Sequence, residues 1–320
     1  MYTTDQIPLF QELAQSQHIL LAGAGGGFDI FCGIPLYFSL KRQGKTVVLA
    51  NYSFTWLKET SAEAVRPSCY LIREEDTDRS GRNYFPEKYL KAWFALQGDD
   101  VPVYAFERTG IQPLKRAYDY LIRQHQIDTI ILIDGGTDSL MFGDEQGLGT
   151  PQEDICSMAA VFQTSVKQQL LVSLGFGVDH FHGVSHFRFL ENVAALSRDG
   201  GYLGAFQLLR EMEEVQQYLA AVEYVNIRMP GLESIVSNSI SSAIRGQYGD
   251  HHTLQRTNGN ELWINPLMAF YWSFRLQKVI ARNLYYDAIK DTRTIGELNT
   301  RLSEFRDALQ NIRAKRQIPI

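Results

Sequence analysis

The chain is short of cysteine, of unbroken apolar sequence and of positive charge, and each shortage removes a class of function. Only three cysteines occur, Cys32, Cys69 and Cys156, none in CxxC spacing, so neither a disulfide framework nor a cysteine zinc site is supported. They read as small buried hydrophobes. No uncharged apolar stretch approaches the roughly 18 residues that span a bilayer. The opening MYTTDQIPLF has no basic segment followed by an apolar one, so a cytoplasmic protein with no membrane partner is expected. A formal net charge of -5 and a pI near 5.8 take away the global attraction of a nucleic-acid binder. Internal repeats, low-complexity tracts and a GxSxG elbow are also missing, the last leaving serine nucleophile chemistry without support. What is present is ordinary for a soluble protein with a large core: 320 residues, 45% hydrophobic and 21% charged.

The first two hundred residues alternate short β-branched runs with helical patterns, the signature of βαβ units. HILLAG, KTVVLANYS, DTIILIDGG and QQLLVSLGFG read as strands, with CYLIRE and VPVYAFE as weaker ones. PLKRAYDYLIRQHQ, PQEDICSMAAVFQT and FRFLENVAALSR read as helices. The expectation is an α/β, Rossmann-like domain over 1–200, with a mostly parallel sheet and helices on both faces. After Gly200 strand patterns thin out. YLGAFQLLREMEEVQQYLAAVEYV reads as one long amphipathic helix, and ESIVSNSISSAIRG, LMAFYWSFRLQKVIA and TIGELNTRLSEFRDALQNIRAKR also look helical. A mainly helical C-terminal lobe over 201–320 is therefore expected to complete the pocket, its last charged helix either solvated or facing another copy in a homo-oligomer.

Each strong strand ends in a glycine-rich turn, and three of those turns carry carboxylates. GAGGGFD, from Gly23 to Asp29, resembles the dinucleotide fingerprint GxGxxG but places Phe28 where the third glycine belongs. The next strand ends in Asn51, where an acidic ribose ligand would stand, which argues against a nicotinamide-dependent oxidoreductase. Gly23, Gly25, Gly26 and Gly27 make room for a ligand, with Asn51 beside them. Asp29 suits a helix start but repels an unneutralised phosphate, so it selects a hydroxyl-bearing sugar, an amine or a cation-bridged group.

The second turn, IDGGTDSLMFGDEQGLGTPQED, crowds Asp134, Asp138, Asp144, Glu145 and Asp154 around Gly135 and Gly136. Such hard oxygen ligands suit Mg²⁺ or Ca²⁺, and equally sugar diols, with Asp134 and Asp138 the candidate metal ligands. The third, LGFGVDHFHGVSH, holds Asp179, His180, His182 and His186. In an extended segment His180 and His182 share a side, and a histidine beside a carboxylate suits acid–base work. Asp134, Asp138, Asp179 and His180 are the catalytic candidates. The helix ESIVSNSISSAIRG offers Asn238 and several serines as a polar face that either lines a cleft or packs closely on another helix, and Asn238, Glu145, Gly135 and Gly136 are ligand-binding candidates.

Taken together, GAGGGFD, DGGTDSLMFGDEQGLGTP with Asp154, and GFGVD resemble a prokaryotic family of unknown function, DUF1152, over most of the chain. Asp134, Asp138, Gly143, Asp144, Glu145, Gly147, Leu148, Asp154 and Asp179 occupy the family's positions, whereas His180 and His182 depart from its pattern. The resemblance implies a fold and no activity. IDGGTD is also similar to the aspartate-rich strand end of nucleoside hydrolases, where carboxylates hold Ca²⁺ and a ribose diol, though only over a few residues. The expected function is an enzyme cleaving a glycosidic or phosphate bond of a small nucleotide-like ligand. A non-catalytic nucleotide sensor is the competing class.

Overall fold

The computed structural model describes residues 2–319. Its centre is a nine-stranded sheet built from β1 (His18–Gly23), β2 (Thr46–Tyr52), β3 (Glu63–Arg66), β4 (Cys69–Ile72), β5 (Val103–Phe106), β6 (Thr129–Asp134), β7 (Gln168–Ser173), β8 (Tyr202–Gln207) and β11 (Phe270–Arg275). Two short strands, β9 (Gly249–Asp250) and β10 (Trp263–Ile264), pair with each other outside it. The order is β3-β4-β5-β2-β1-β6-β7-β11-β8, with β5, β2, β1, β6 and β7 mutually parallel. A β3–β4 hairpin closes one edge antiparallel to β5, and β11 lies antiparallel between β7 and β8 at the other.

The central strands are buried on both faces, and their side chains alternate between two cores. Ile19 and Leu21 of β1 pack into one core with Ile131 and Ile133 of β6; Leu20 and Ala22 enter the other with Ile130 and Leu132. Helices α2 (Ile34–Arg42), α3 (Pro86–Leu96), α7 (Glu213–Arg228) and α8 (Ile235–Ile244) feed the first core. Helices α4 (Ile111–His125), α5 (Pro151–Phe162), α6 (His186–Arg198), α9 (Leu276–Ile280), α10 (Tyr286–Ile289) and α11 (Ile295–Asp307) feed the second. In α4 the buried set Ile111, Leu114, Ala117, Tyr118 and Leu121 falls on one stripe, as a helix covering a sheet requires. A short helix, α1 (Pro8–Glu12), precedes the first strand.

The sheet confirms the mixed α/β, mostly parallel reading and corrects two helices. The run from Tyr202 begins as strand β8 and becomes helical only at Glu213. LMAFYWSFRLQKVIA holds strand β11 and keeps helix only over Leu276–Ile280. Both strands are rich in aromatic and apolar residues but flanked by good helix formers, and such short runs carry no periodicity that separates the two states. The segment after Gly200 thus adds helices α7 and α8 and also two strands to the same sheet. Among the described residues no helix is long and apolar enough to cross a membrane, and the three cysteines are free and buried.

Candidate functional site

From β1 the chain turns to β2 on one side, while β6 lies on the other, so the loops leaving β1 and β6 diverge. In open α/β sheets this reversal opens a crevice beyond the carboxyl ends of the strands. Here it is a cavity of about 460 Å³. Its floor is acidic: Asp29 after β1, Asp134 at the end of β6, Asp138 just beyond, Glu153 and Asp154 in the first turn of α5, and Asp179 after β7 all line it.

Each aspartate is aimed by its own backbone or hydroxyl donors, with one exception. The Gly25 amide donates to Asp29 Oδ2 at 2.6 Å. Ser139 and Ser173 hydroxyls donate to Asp134 Oδ2, the second at 3.2 Å. Asp138 Oδ2 accepts from the Thr150 amide at 2.8 Å and its hydroxyl at 3.1 Å, and Asp179 Oδ2 from the Thr137 amide at 2.6 Å. Asp154, only 1% exposed, has no donor on either oxygen. One oxygen from each of Asp29, Asp134 and Asp154 lies within 4.8 Å of the others.

The glycines explain how like charges come so close. A Cβ on Gly25 would stand 2.6 Å from Asp154 Oδ1 and 2.9 Å from Asp29 Oδ2, and Gly26 has φ +96 with Tyr52 O closing the space beside it. Side chains at Gly135 and Gly136 would collide with the carboxylates of Asp29 and Asp179. Burial pushes the pKa values of Asp29, Asp134, Asp138, Asp154 and Asp179 upward, and neighbouring carboxylates add to the push on Asp29, Asp134, Asp154 and Asp179. Glu153 is raised, mainly by burial, to about 7. Arg82 and Arg256 bring positive charge to the same cavity beside Glu233, Phe54 and Tyr84, and the start of α8 from Ser234 to Ser237 faces the same space.

Of the catalytic and ligand-binding candidates read from the sequence, Gly25, Gly26, Gly27, Asp29, Asp134, Gly135, Asp138 and Asp179 line the cavity. The other six do not. Gly23 abuts Asn51, and Asn51 donates to Gly27 O and Glu87 Oε1, so it buttresses the loop from behind. Gly136 only makes space for Asp179. Asn238 faces Asn226 and Ser234 O instead of the ligand space. Glu145 is fully committed elsewhere, accepting from the Phe142 and Gly143 amides, Asn192 and Arg313 at 2.8–3.0 Å. His180 is exposed and outside the cavity, while His182 lines it. The reason is local: Val178–His182 is a 3₁₀ turn, in which residues two apart point in different directions, and not an extended strand. Asp138, expected to share a metal with Asp134, accepts from Thr150, and the carboxylate oxygens that lie within 4.8 Å of one another belong to Asp29, Asp134 and Asp154.

Glu145 yields a test of its structural role. Glu145→Ala strands two buried amides and one face of Asn192, and a loss of about 3 kcal/mol is expected in urea unfolding. A loss below about 1 kcal/mol would place that network outside the stability of the fold.

Sequence reasoning passed over Glu153, Thr150, Arg82, Arg256, Phe54 and Tyr84. Asp154 had a signal, a carboxylate one turn into a helix opened by Thr150-Pro151, but acids there are common helix caps. No curated protein matches the chain. The family model described as protein of unknown function (DUF1152) matches residues 57–307, which hold Asp134, Asp138, Asp154 and Asp179 but not the Asp29 loop. With most of its length inside that match, the chain belongs to the DUF1152 family.

Proposed function

We propose that the protein is an enzyme that cleaves or transfers a glycosidic or phosphate bond of a nucleotide, nucleoside or phosphorylated sugar, with the ligand lying across the ends of β1, β6 and β7. The observation that carries this reading is the convergence of Asp29, Asp134, Asp138, Asp154 and Asp179 on one cavity at the switch point. Carboxylates aimed by donors on one oxygen offer the other to hydroxyls of a sugar. Glu153, raised to about 7 by burial, stands as a proton donor among carboxylates that can serve as a base, the pairing that bond cleavage of this kind uses. The cavity also suits a ligand with an anionic and a flat end, since Arg82 and Arg256 stand beside Phe54 and Tyr84.

Incubation with a panel of nucleosides, mononucleotides, dinucleotides and sugar phosphates, with and without Mg²⁺ or Ca²⁺, tests the proposal through thermal shift and product formation. Cleavage of at least one member is expected. Stabilisation without turnover would mark a sensor, and neither effect would reject both. For the ligand so found, replacing Arg82 and Arg256 together by Ala is expected to raise KM about tenfold with kcat little changed, because they bind the end that does not react. An unchanged KM would remove the arginines from the ligand's path.

A further inference from the structure

We infer that Asp29, Asp134 and Asp154 bind one divalent cation of the hard, oxygen-preferring class, Ca²⁺ or Mg²⁺, at the floor of the cavity. The inference deepens the functional reading above and rests on it only for the use the ion serves.

Three independent features point to a cation. The first is geometric: oxygens from three elements far apart in sequence, the β1 loop, the end of β6 and the first turn of α5, lie within 4.8 Å of one another. An ion held at about 2.4 Å, as Ca²⁺ is, bridges oxygens up to about 4.8 Å apart, whereas Mg²⁺ at about 2.1 Å needs them drawn to about 4.2 Å. The second is Asp154 itself. Both of its oxygens are enclosed, and neither receives a proton donor from the protein. A carboxylate offers about four acceptor positions, and a buried one is otherwise hydrogen-bonded, paired or metal-bound. The third is charge: among the described residues no lysine or arginine stands within salt-bridge distance of these three groups, and the charged neighbours acting on them are further carboxylates. Arg82 and Arg256 line the cavity and are exposed.

Distance sorts the ligands from the bystanders. Oxygens of Asp29, Asp134 and Asp154 form the close group, while Asp138 and Asp179, held through Oδ2 by Thr150 and Thr137, stand outside it. Asp29 and Asp134 are each steadied through Oδ2, which fixes orientation and leaves capacity for an ion, the usual arrangement around ligating carboxylates. Gly25 packs its bare Cα between Asp154 and Asp29, where any side chain would occupy the ion's surroundings. The ion's remaining positions face the cavity, open to water or to an oxygen of the ligand.

Calorimetric titration of the metal-free full chain with CaCl₂ and, separately, MgCl₂, with no organic ligand present, tests the site. One ion per chain is expected, with affinity lowered about tenfold or more by Asp154→Asn and by Asp29→Asn. Asp250→Asn, an exposed acid that does not line the cavity, should leave it unchanged. Circular dichroism and melting of each variant separate lost binding from lost folding. Absence of heat and of thermal shift with both ions at millimolar concentration, or binding unaltered in Asp154→Asn, overturns the inference. Cleavage that persists in EDTA with no ion bound would reject the ion and keep the enzyme, whereas ion binding without turnover of any panel member would keep the ion and reject the enzyme.

Discussion

Asp134→Asn is expected to lower kcat by about 10³-fold or more while making the metal-free protein more stable. The amide has the shape of the carboxylate, and its oxygen still accepts from Ser139 and Ser173, so the strand end keeps its geometry. What disappears is one charge from a buried cluster in which Asp29 and Asp138 both act against Asp134. Removing it relieves repulsion and desolvation, and a gain of about 1–2 kcal/mol in urea unfolding at neutral pH follows. Opposite signs for activity and stability are the mark of a functional site that strains its scaffold. Parallel losses of both, measured as initial rates and unfolding midpoints on the same preparation, would make Asp134 a structural residue.

The metal-free protein is also expected to lose stability as pH rises from about 4 toward 7 and above, the reverse of ordinary acid denaturation. Glu153 and the five aspartates have folded-state pKa values above their unfolded ones. Such a group binds its proton more tightly when folded. Its stabilisation is complete below the unfolded value near 4 and is lost as pH climbs through the folded value. For Glu153, raised from the ordinary 4.5 to about 7, the full difference is on the order of 3 kcal/mol, and the aspartates act in the same direction. Urea midpoints at about pH 5 and about pH 8 in EDTA measure the fall. Saturating Ca²⁺ should flatten it, because the bound ion takes over the role of the protons. A midpoint that rises with pH in EDTA would mean that the carboxylates meet a counter-charge in solution.

The central strands were legible because strands buried on both faces are continuous apolar runs, as in TIILI of β6 and QLLV of β7. So were the carboxylates that follow them, since a strand end in such a sheet is where ligands collect. Strand β11 was not, because its aromatic residues fit a buried helix equally well until β7 and β8 are seen on either side of it. Glu145 and Asp134 share one acidic stretch, and only three-dimensional contacts show that one seals a loop and the other faces a cavity. The arginines of the cavity arrive from the loop after β4 and the loop between β9 and β10, whose approach to the β1 loop leaves no trace in local pattern.

Strand β8 has a single partner in the sheet, and that partner, β11, comes much later in the chain. During synthesis Tyr202–Gln207 therefore emerges with nowhere to pair, and the flank of β7 stays bare as well. Ribosomes add roughly 5–20 residues per second. For several seconds two unsatisfied edges coexist on one nascent molecule, which marks that interval, and not any later one, as the moment when holding factors would protect this polypeptide from its neighbours.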